Sequence, residues 1–154
     1  GDMTGDGRAE IITGAGPAAG PHVKSFDGST GAELSSFMLF VPGFVGGVSV
    51  TAGDLNGDGF DELIVGAASG SGAQVVVRDG RTRTVVDSAP AWSDFPGSRV
   101  RVGSADINRD GFDDLIVGSG PGSGRVTIRD GRTRTVIEDF FGVDPFGAGG
   151  VFVG

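Results

Sequence analysis

Cysteine is absent from these 154 residues, so neither a disulfide framework nor a thiolate metal site can form. Tyrosine is absent too, and there is a single histidine, His22, and a single tryptophan, Trp92. Basic residues are scarce: 12 Lys and Arg stand against 20 Asp and Glu, for a net charge of −8. That sign argues against a nucleic-acid footprint or an anionic membrane surface, and it suits a protein that binds cations. No run of about 18 apolar residues occurs, so no membrane span is expected. No signal peptide is visible, and the sequence starts mid-pattern at Gly1, as a mature fragment would. What the chain has in excess is glycine, 31 residues, with seven prolines. Long helices are thereby disfavoured, since interior glycine costs close to 1 kcal/mol against alanine. Yet 38% of the residues are apolar, which argues against a solvated polymer. Many short strands joined by tight turns fit both facts.

A repeat organises those strands. GDMTGDGRAEIITGAG begins at Gly1, GDLNGDGFDELIVGAA at Gly53 and ADINRDGFDDLIVGSG at Ala105, with Asp2, Asp54 and Asp106 each 52 residues apart. Downstream, SFDGSTGAEL from Ser25 aligns with VRDGRTRTVV from Val77 and IRDGRTRTVI from Ile128. The chain divides into units 1–52, 53–104 and 105–154. Each unit reads as four strands. Residues 47–51 and 99–103 alternate small or polar residues with valines, and the register recurs at Val151 and Val153. Residues 10–14, 62–66 and 114–118 are short apolar runs, expected to be buried on both faces. A third strand covers 74–78 and ends at Asp79-Gly80, where tolerance of positive φ favours a hairpin. A fourth covers 84–88, equivalent to 135–139 and 32–36. Four antiparallel strands in about 50 residues is the pattern of a propeller blade. A β-sandwich needs no such repeat, and a β-solenoid has a far shorter period.

The expected fold is therefore all-β, a propeller of four-stranded antiparallel blades with three blades per chain. Three blades leave open edges, and propellers have four to eight. The first unit begins after its first strand, while 149–154 repeats that strand at the other end. It can complete an N-terminal blade, and within one chain the distance looks wrong. A head-to-tail homodimer closing a six-bladed ring is expected.

Each unit also carries an oxygen-rich loop. The first holds Asp2, Thr4, Asp6 and Glu10; the second Asp54, Asn56, Asp58 and Glu62; the third Asp106, Asn108, Asp110 and Asp114. Alternate oxygen-bearing side chains on a loop that turns at a sixth-position glycine converge on one centre. Six to eight flexible oxygen ligands mean Ca²⁺ rather than Mg²⁺, about one ion per blade. By analogy with such loops, the backbone carbonyls of Arg8, Phe60 and Phe112 complete the set. An EF-hand is disfavoured, because Thr13, Val65 and Val117 stand where its bidentate Glu belongs and strands, not helices, follow. Acidic hairpin turns without metal are the plain alternative, made poor by three spaced copies.

With these loops come Gly14-Ala15-Gly16-Pro17, Gly66-Ala67-Ala68 and Gly118-Ser119-Gly120-Pro121, and Phe146-Gly147 with the looser Phe44-Val45-Gly46 and Phe95-Pro96-Gly97. Together they resemble the FG-GAP repeats of integrin α-subunit propellers and the related bacterial VCBS-type repeats. The resemblance covers essentially the whole chain. It implies a calcium-stabilised propeller, non-enzymatic and of extracellular or cell-surface origin, with the metal between the first and second strands of each blade. That family closes seven blades in one chain, whereas three are present. The near-identity of GRTRTV at Gly80 and Gly131 points to recent duplication or deliberate design.

Other chemistry is thinly supported. His22 reads as an exposed strand-edge residue, and the serines lack a repeated His/Asp partner for a triad. Asp61-Glu62 and Asp113-Asp114 are carboxylate pairs of a glycosidase type, but one of each is assigned to metal. Arg99 and Arg101 share a channel-lining strand face, either as an anion or ligand site or as a structural ion pair between blades. Trp92 reads as a packing residue rather than a sugar platform, and RDGRTR as a hairpin with a solvated basic face. Two alternatives to a scaffold remain: a module recognising a carbohydrate or protein, and a fragment of a polysaccharide-lyase-type enzyme.

Overall fold

In a computed structural model, residues 1–39, 46–69, 72–92, 99–143 and 150–154 are described. Eleven antiparallel strands form three sheets, each a meander in chain order. The first contains β1 (Ile11–Gly14), β2 (His22–Phe26) and β3 (Glu33–Met38). The second runs β4 (Val48–Gly53), β5 (Glu62–Ser69), β6 (Gly72–Arg78) and β7 (Val85–Pro90). The third runs β8 (Val100–Ala105), β9 (Asp114–Ser119), β10 (Arg125–Arg129) and β11 (Val136–Phe141). The strands fall within a few residues of those the repeat predicts. Each sheet has its register shift at the same place, between Ser25 and Phe26, Val77 and Arg78, and Ile128 and Arg129. Among the described residues no helix is long and apolar enough to cross a membrane.

Two cores lie between the sheets. Ile64, Val75 and Val77 meet Val100, Val102, Leu115 and Val117 between the second and third. Val23, Leu63 and Val65 meet Ile12, Phe37, Val48 and Val50 between the first and second. One packing device recurs. A Cβ added to Gly14 would lie 2.9 Å from Val48 Cγ2, and one on Gly66 would lie 2.8 Å from Val100 Cγ1. Gly118 stands in the same relation to Val153, at 3.0 Å. Gly14 and Gly66 are thus each the slot for two valines of the following sheet, and Gly118 is the slot for Val153. Residues 150–154 form no ladder, and the Val151 N–H donates to the Ser119 carbonyl at 2.8 Å. The corresponding bond, Val48 N–H to Ala15 carbonyl, joins the first sheet to the second.

Two expectations need correction. The apolar run of β1 is not buried on both faces: Ile11 is 54% exposed, whereas its equivalent Leu63 is 4% exposed. The second sheet is covered on both sides and the first on one. The turn glycine, in turn, is not there for positive φ. The left-handed residue of each turn is Gly31, Arg83 or Arg134. Gly28, Gly80 and Gly131 instead touch backbone: a Cβ would fall 2.0, 2.2 and 1.8 Å from the carbonyl oxygens of Ala9, Asp61 and Asp113. Close approach of the third-strand turn to the acidic loop is what requires them.

The hairpin arginines also depart from a solvated face. Arg83 reaches the first sheet at the Leu34 carbonyl, 3.1 Å, and Arg134 reaches Asp87 of the second at 3.7 Å. Arg129 donates to the Ala91 carbonyl at 2.9 Å, and Arg78 lies over the Phe37 ring. These side chains tie each sheet to the one before it. Trp92 is 7% exposed, with its indole N–H on Thr127 Oγ1 at 2.8 Å, a packing residue as expected. The Phe-Gly elements at 44–46, 95–97 and 146–147 fall wholly or mainly outside the described residues.

Candidate metal centre

The acidic loops connect β4 to β5 and β8 to β9, and the first precedes β1. The turn in each depends on glycine at position six: Gly7, Gly59 and Gly111 have φ of 82°, 81° and 89°. The first aspartate organises the loop. Asp2 accepts the Gly5 and Gly7 N–H groups at 2.7 Å each, and Asp54 accepts those of Gly57 and Gly59 at 2.7 and 2.9 Å. Asp106 accepts from Asp110 and Gly111 at 3.1 and 3.0 Å. Desolvation alone would raise Asp2, but the N–H groups of Gly7, Gly5, Asp6 and Thr4 outweigh it and hold its carboxyl below the usual range.

The last acid of each loop is buried. Glu10, Glu62 and Asp114 are 6%, 1% and 0% exposed. Glu10 accepts the Met3 N–H at 2.6 Å and the Thr4 hydroxyl at 3.1 Å. Glu62 accepts the Leu55 N–H at 2.9 Å and the Asn56 amide at 2.8 Å. Asp114 accepts the N–H groups of Ile107 and Gly131 at 3.0 and 3.2 Å. Burial pushes Glu62 up to about 7, and the charges of Asp58, Asp54 and Asp79 push the same way. A buried acid facing the charges of three further carboxylates is an environment that a divalent ion completes.

Convergence is tightest in the first loop, where Asp2, Asp6 and Glu10 bring one oxygen each within 4.8 Å of one another. In the second and third loops, Asn56 and Asn108 accept the Asp58 and Asp110 N–H groups at 2.8 and 2.9 Å. Asp58 and Asp110 accept those of Phe60 and Phe112 at 3.0 Å. Asp6 likewise accepts the Arg8 N–H at 2.9 Å. Among the described residues, Asp54, Asp58 and Glu62, and Asp106, Asp110 and Asp114, are not brought together as closely as the acids of the first loop. The oxygen-only donor set, flexible and mostly anionic, fits Ca²⁺.

Two features were not legible in the spacing. The turn aspartate after the third strand joins the loop of its own unit: Asn108 Nδ2 donates to Asp130 Oδ2 at 3.3 Å, and the charge of Asp79 bears on Glu62. Successive loops are also linked. The Asp61 N–H donates to the Asp2 carbonyl at 2.8 Å, and the Asp113 N–H to the Asp54 carbonyl at 2.9 Å. Phe60 lies against Gly5 and Phe112 against Gly57, with Arg81 and Arg132 over the two rings at 5.5 and 5.3 Å. In the third loop Arg109, at φ 63°, takes the place of Gly5 and Gly57. His22 is half-buried in the central strand of its sheet, not at an edge, and bonds Ser36 Oγ at 2.8 Å.

Comparison with protein families finds the FG-GAP repeat over residues 46–81 and again over 99–128. These segments contain the second and third acidic loops with their flanking strands. Comparison with curated proteins found no match.

Proposed function

We propose, from the premise that the chain carries FG-GAP repeats within its second and third sheets, that it is a calcium-stabilised β-propeller module, a non-enzymatic scaffold for interaction. The observation that carries this reading is the buried carboxylate, Glu10, Glu62 or Asp114, at the base of each of three oxygen-rich loops. The ion would be held by Asp2, Thr4, Asp6 and Glu10, by Asp54, Asn56, Asp58 and Glu62, and by Asp106, Asn108, Asp110 and Asp114. The carbonyls of Arg8, Phe60 and Phe112 would complete each set. Bound calcium supplies positive charge and cross-links a loop; it has no chemical step to perform. Three divalent ions would offset most of the net charge of −8, and binding to the folded chain alone stabilises it by mass action. Because the first ligand of one loop is hydrogen-bonded to the next loop, each ion also stiffens a junction between sheets. The match to FG-GAP repeats favours an extracellular or cell-surface setting.

Assembly follows from the packing device described above. Residues 150–154 lie on the third sheet without a sheet of their own, and the first sheet leaves Ile11 exposed; these are complementary surfaces of a head-to-tail kind. A second copy supplies the missing neighbour and closes a six-bladed ring. A recognition role, for a carbohydrate or a protein, is favoured by the basic cleft at the far end of the inner strands. Melting in excess EDTA and light scattering in calcium test the reading together. A lowered melting temperature and a two-chain mass support it. An unchanged melt contradicts structural calcium, and a mass near 15.4 kDa in calcium contradicts the dimer.

A further inference from the structure

The inner strands β4 and β8 lead into the second and third acidic loops, and a basic cleft lies at their opposite ends. The cleft has a volume of about 410 Å³ and is lined by Pro17, Val48, Ser49, Arg99, Arg101 and Phe152, among others. Among the described residues no carboxylate lines it. Arg101 of β8 and Arg99, the residue before that strand, both line the cleft, while Val100 and Val102 turn to Gly66. The ion pair between blades expected for them is not found: among the described residues no acid pairs with either arginine. Arg101 donates to the Val151 carbonyl at 2.8 Å, with its guanidinium 3.4 Å from the centre of the Phe152 ring. Arg99 is exposed. Burial, and then the charge of Arg99, lower Arg101 from its ordinary value.

Among the described residues, two neighbouring arginines of this acidic chain thus have no acid paired with them. Another cleft that holds arginines behaves differently. There Arg125 is paired with Asp139 at 2.5 Å, and Arg129 is spent on the Pro90 and Ala91 carbonyls. Guanidinium groups match planar carboxylates. The walls add an apolar ring and proline, a serine hydroxyl, and glycine backbone at 16, 46 and 47. The Phe152 side chain is 81% exposed, so it still presents apolar surface to a ligand. The volume is at the small end of ligand sites, the size of one sugar ring.

We propose that this cleft binds a carboxylated sugar of monosaccharide size, its carboxylate on Arg99 and Arg101 and its ring against Phe152 and Pro17. The site deepens the recognition reading above and is independent of the calcium loops. The test is calorimetric titration of the full chain in saturating calcium with glucuronate, glucose, N-acetylglutamate and inorganic phosphate. Glucuronate saturates one site, weakens as salt is raised, and binds at least tenfold more tightly than each of the other three. Arg99→Gln, at an exposed position, keeps the melting temperature and lowers glucuronate affinity at least tenfold. No saturable glucuronate binding, or equal binding by Arg99→Gln, overturns the site. Equal or tighter binding of N-acetylglutamate or phosphate overturns the sugar assignment. Loss of the glucuronate site with a calcium-dependent melt leaves the scaffold reading standing.

Discussion

The first and second sheets are built from two copies of one repeat and end up in different surroundings. IITG of β1 corresponds to LIVG of β5, yet Ile11 is exposed where Leu63 is buried, and Ile12 is half-buried where Ile64 is inaccessible. Within a sheet the two units agree closely. The turn aspartates Asp27 and Asp79 each accept from the N–H and hydroxyl of a threonine three residues on, and both units shift register at the same point. The difference lies in the strand that the first sheet lacks and in what covers each sheet. Local sequence sets the blade, and the neighbouring blades set the core.

This contrast can be broken by substitution. Contacts internal to a unit should be equally sensitive in every unit. Gly28→Ala, Gly80→Ala and Gly131→Ala each drive a Cβ against a carbonyl oxygen of backbone that cannot move aside. Each is expected to cost more than about 4 kcal/mol or to abolish folding, read by thermal melting. Gly16→Ala, with open space around it, should change stability by less than about 0.5 kcal/mol.

Contacts between units should be unequal. Leu63→Ala is expected to cost about 3 kcal/mol, within the range for buried leucine. Ile11→Ala should cost less than about 1 kcal/mol, because its side chain is already half in water. Denaturant melts of the two variants measure the ratio. Equal losses would mean that the first sheet is covered as fully as the second in solution.

Smaller effects sharpen the comparison at the loops. Without calcium, Glu62 titrates near 7 in the folded chain, above its unfolded value. The folded state then holds the proton longer, so stability falls as pH rises from the ordinary carboxylate range to about 7 and is flat beyond. Glu62→Gln should remove that slope in melts run in EDTA. Trp92→Phe keeps the ring but loses the bond to Thr127, at a cost of about 1 kcal/mol. Asp58→Ala and Asp110→Ala should each lower the melting temperature in calcium more than His22→Ala does.

The order and approximate limits of the eleven strands were legible, because a 52-residue repeat shows the elements in three copies, whereas the strand expected at 149–154 forms no ladder within this chain. The loop residues were legible for the same reason. What escaped was set by contacts distant in sequence. Gly80 reads locally as a turn residue, and only the Asp61 carbonyl at 2.2 Å from its absent Cβ shows why it is glycine. Arg83 and Arg134 look like solvated hairpin charges until the preceding sheet is in place to receive them. Asp130 joins the third loop across a turn that no motif spacing encodes. In the same way, the isolation of Arg99 and Arg101 depends on which acids the fold brings near them.

Calcium in the loops is the central claim, and titration of calcium into the chelated chain tests it most directly. The account predicts saturable binding of about three ions per chain with a higher melting temperature at saturation. No calcium binding, with the same melt in EDTA and in excess calcium, would contradict it.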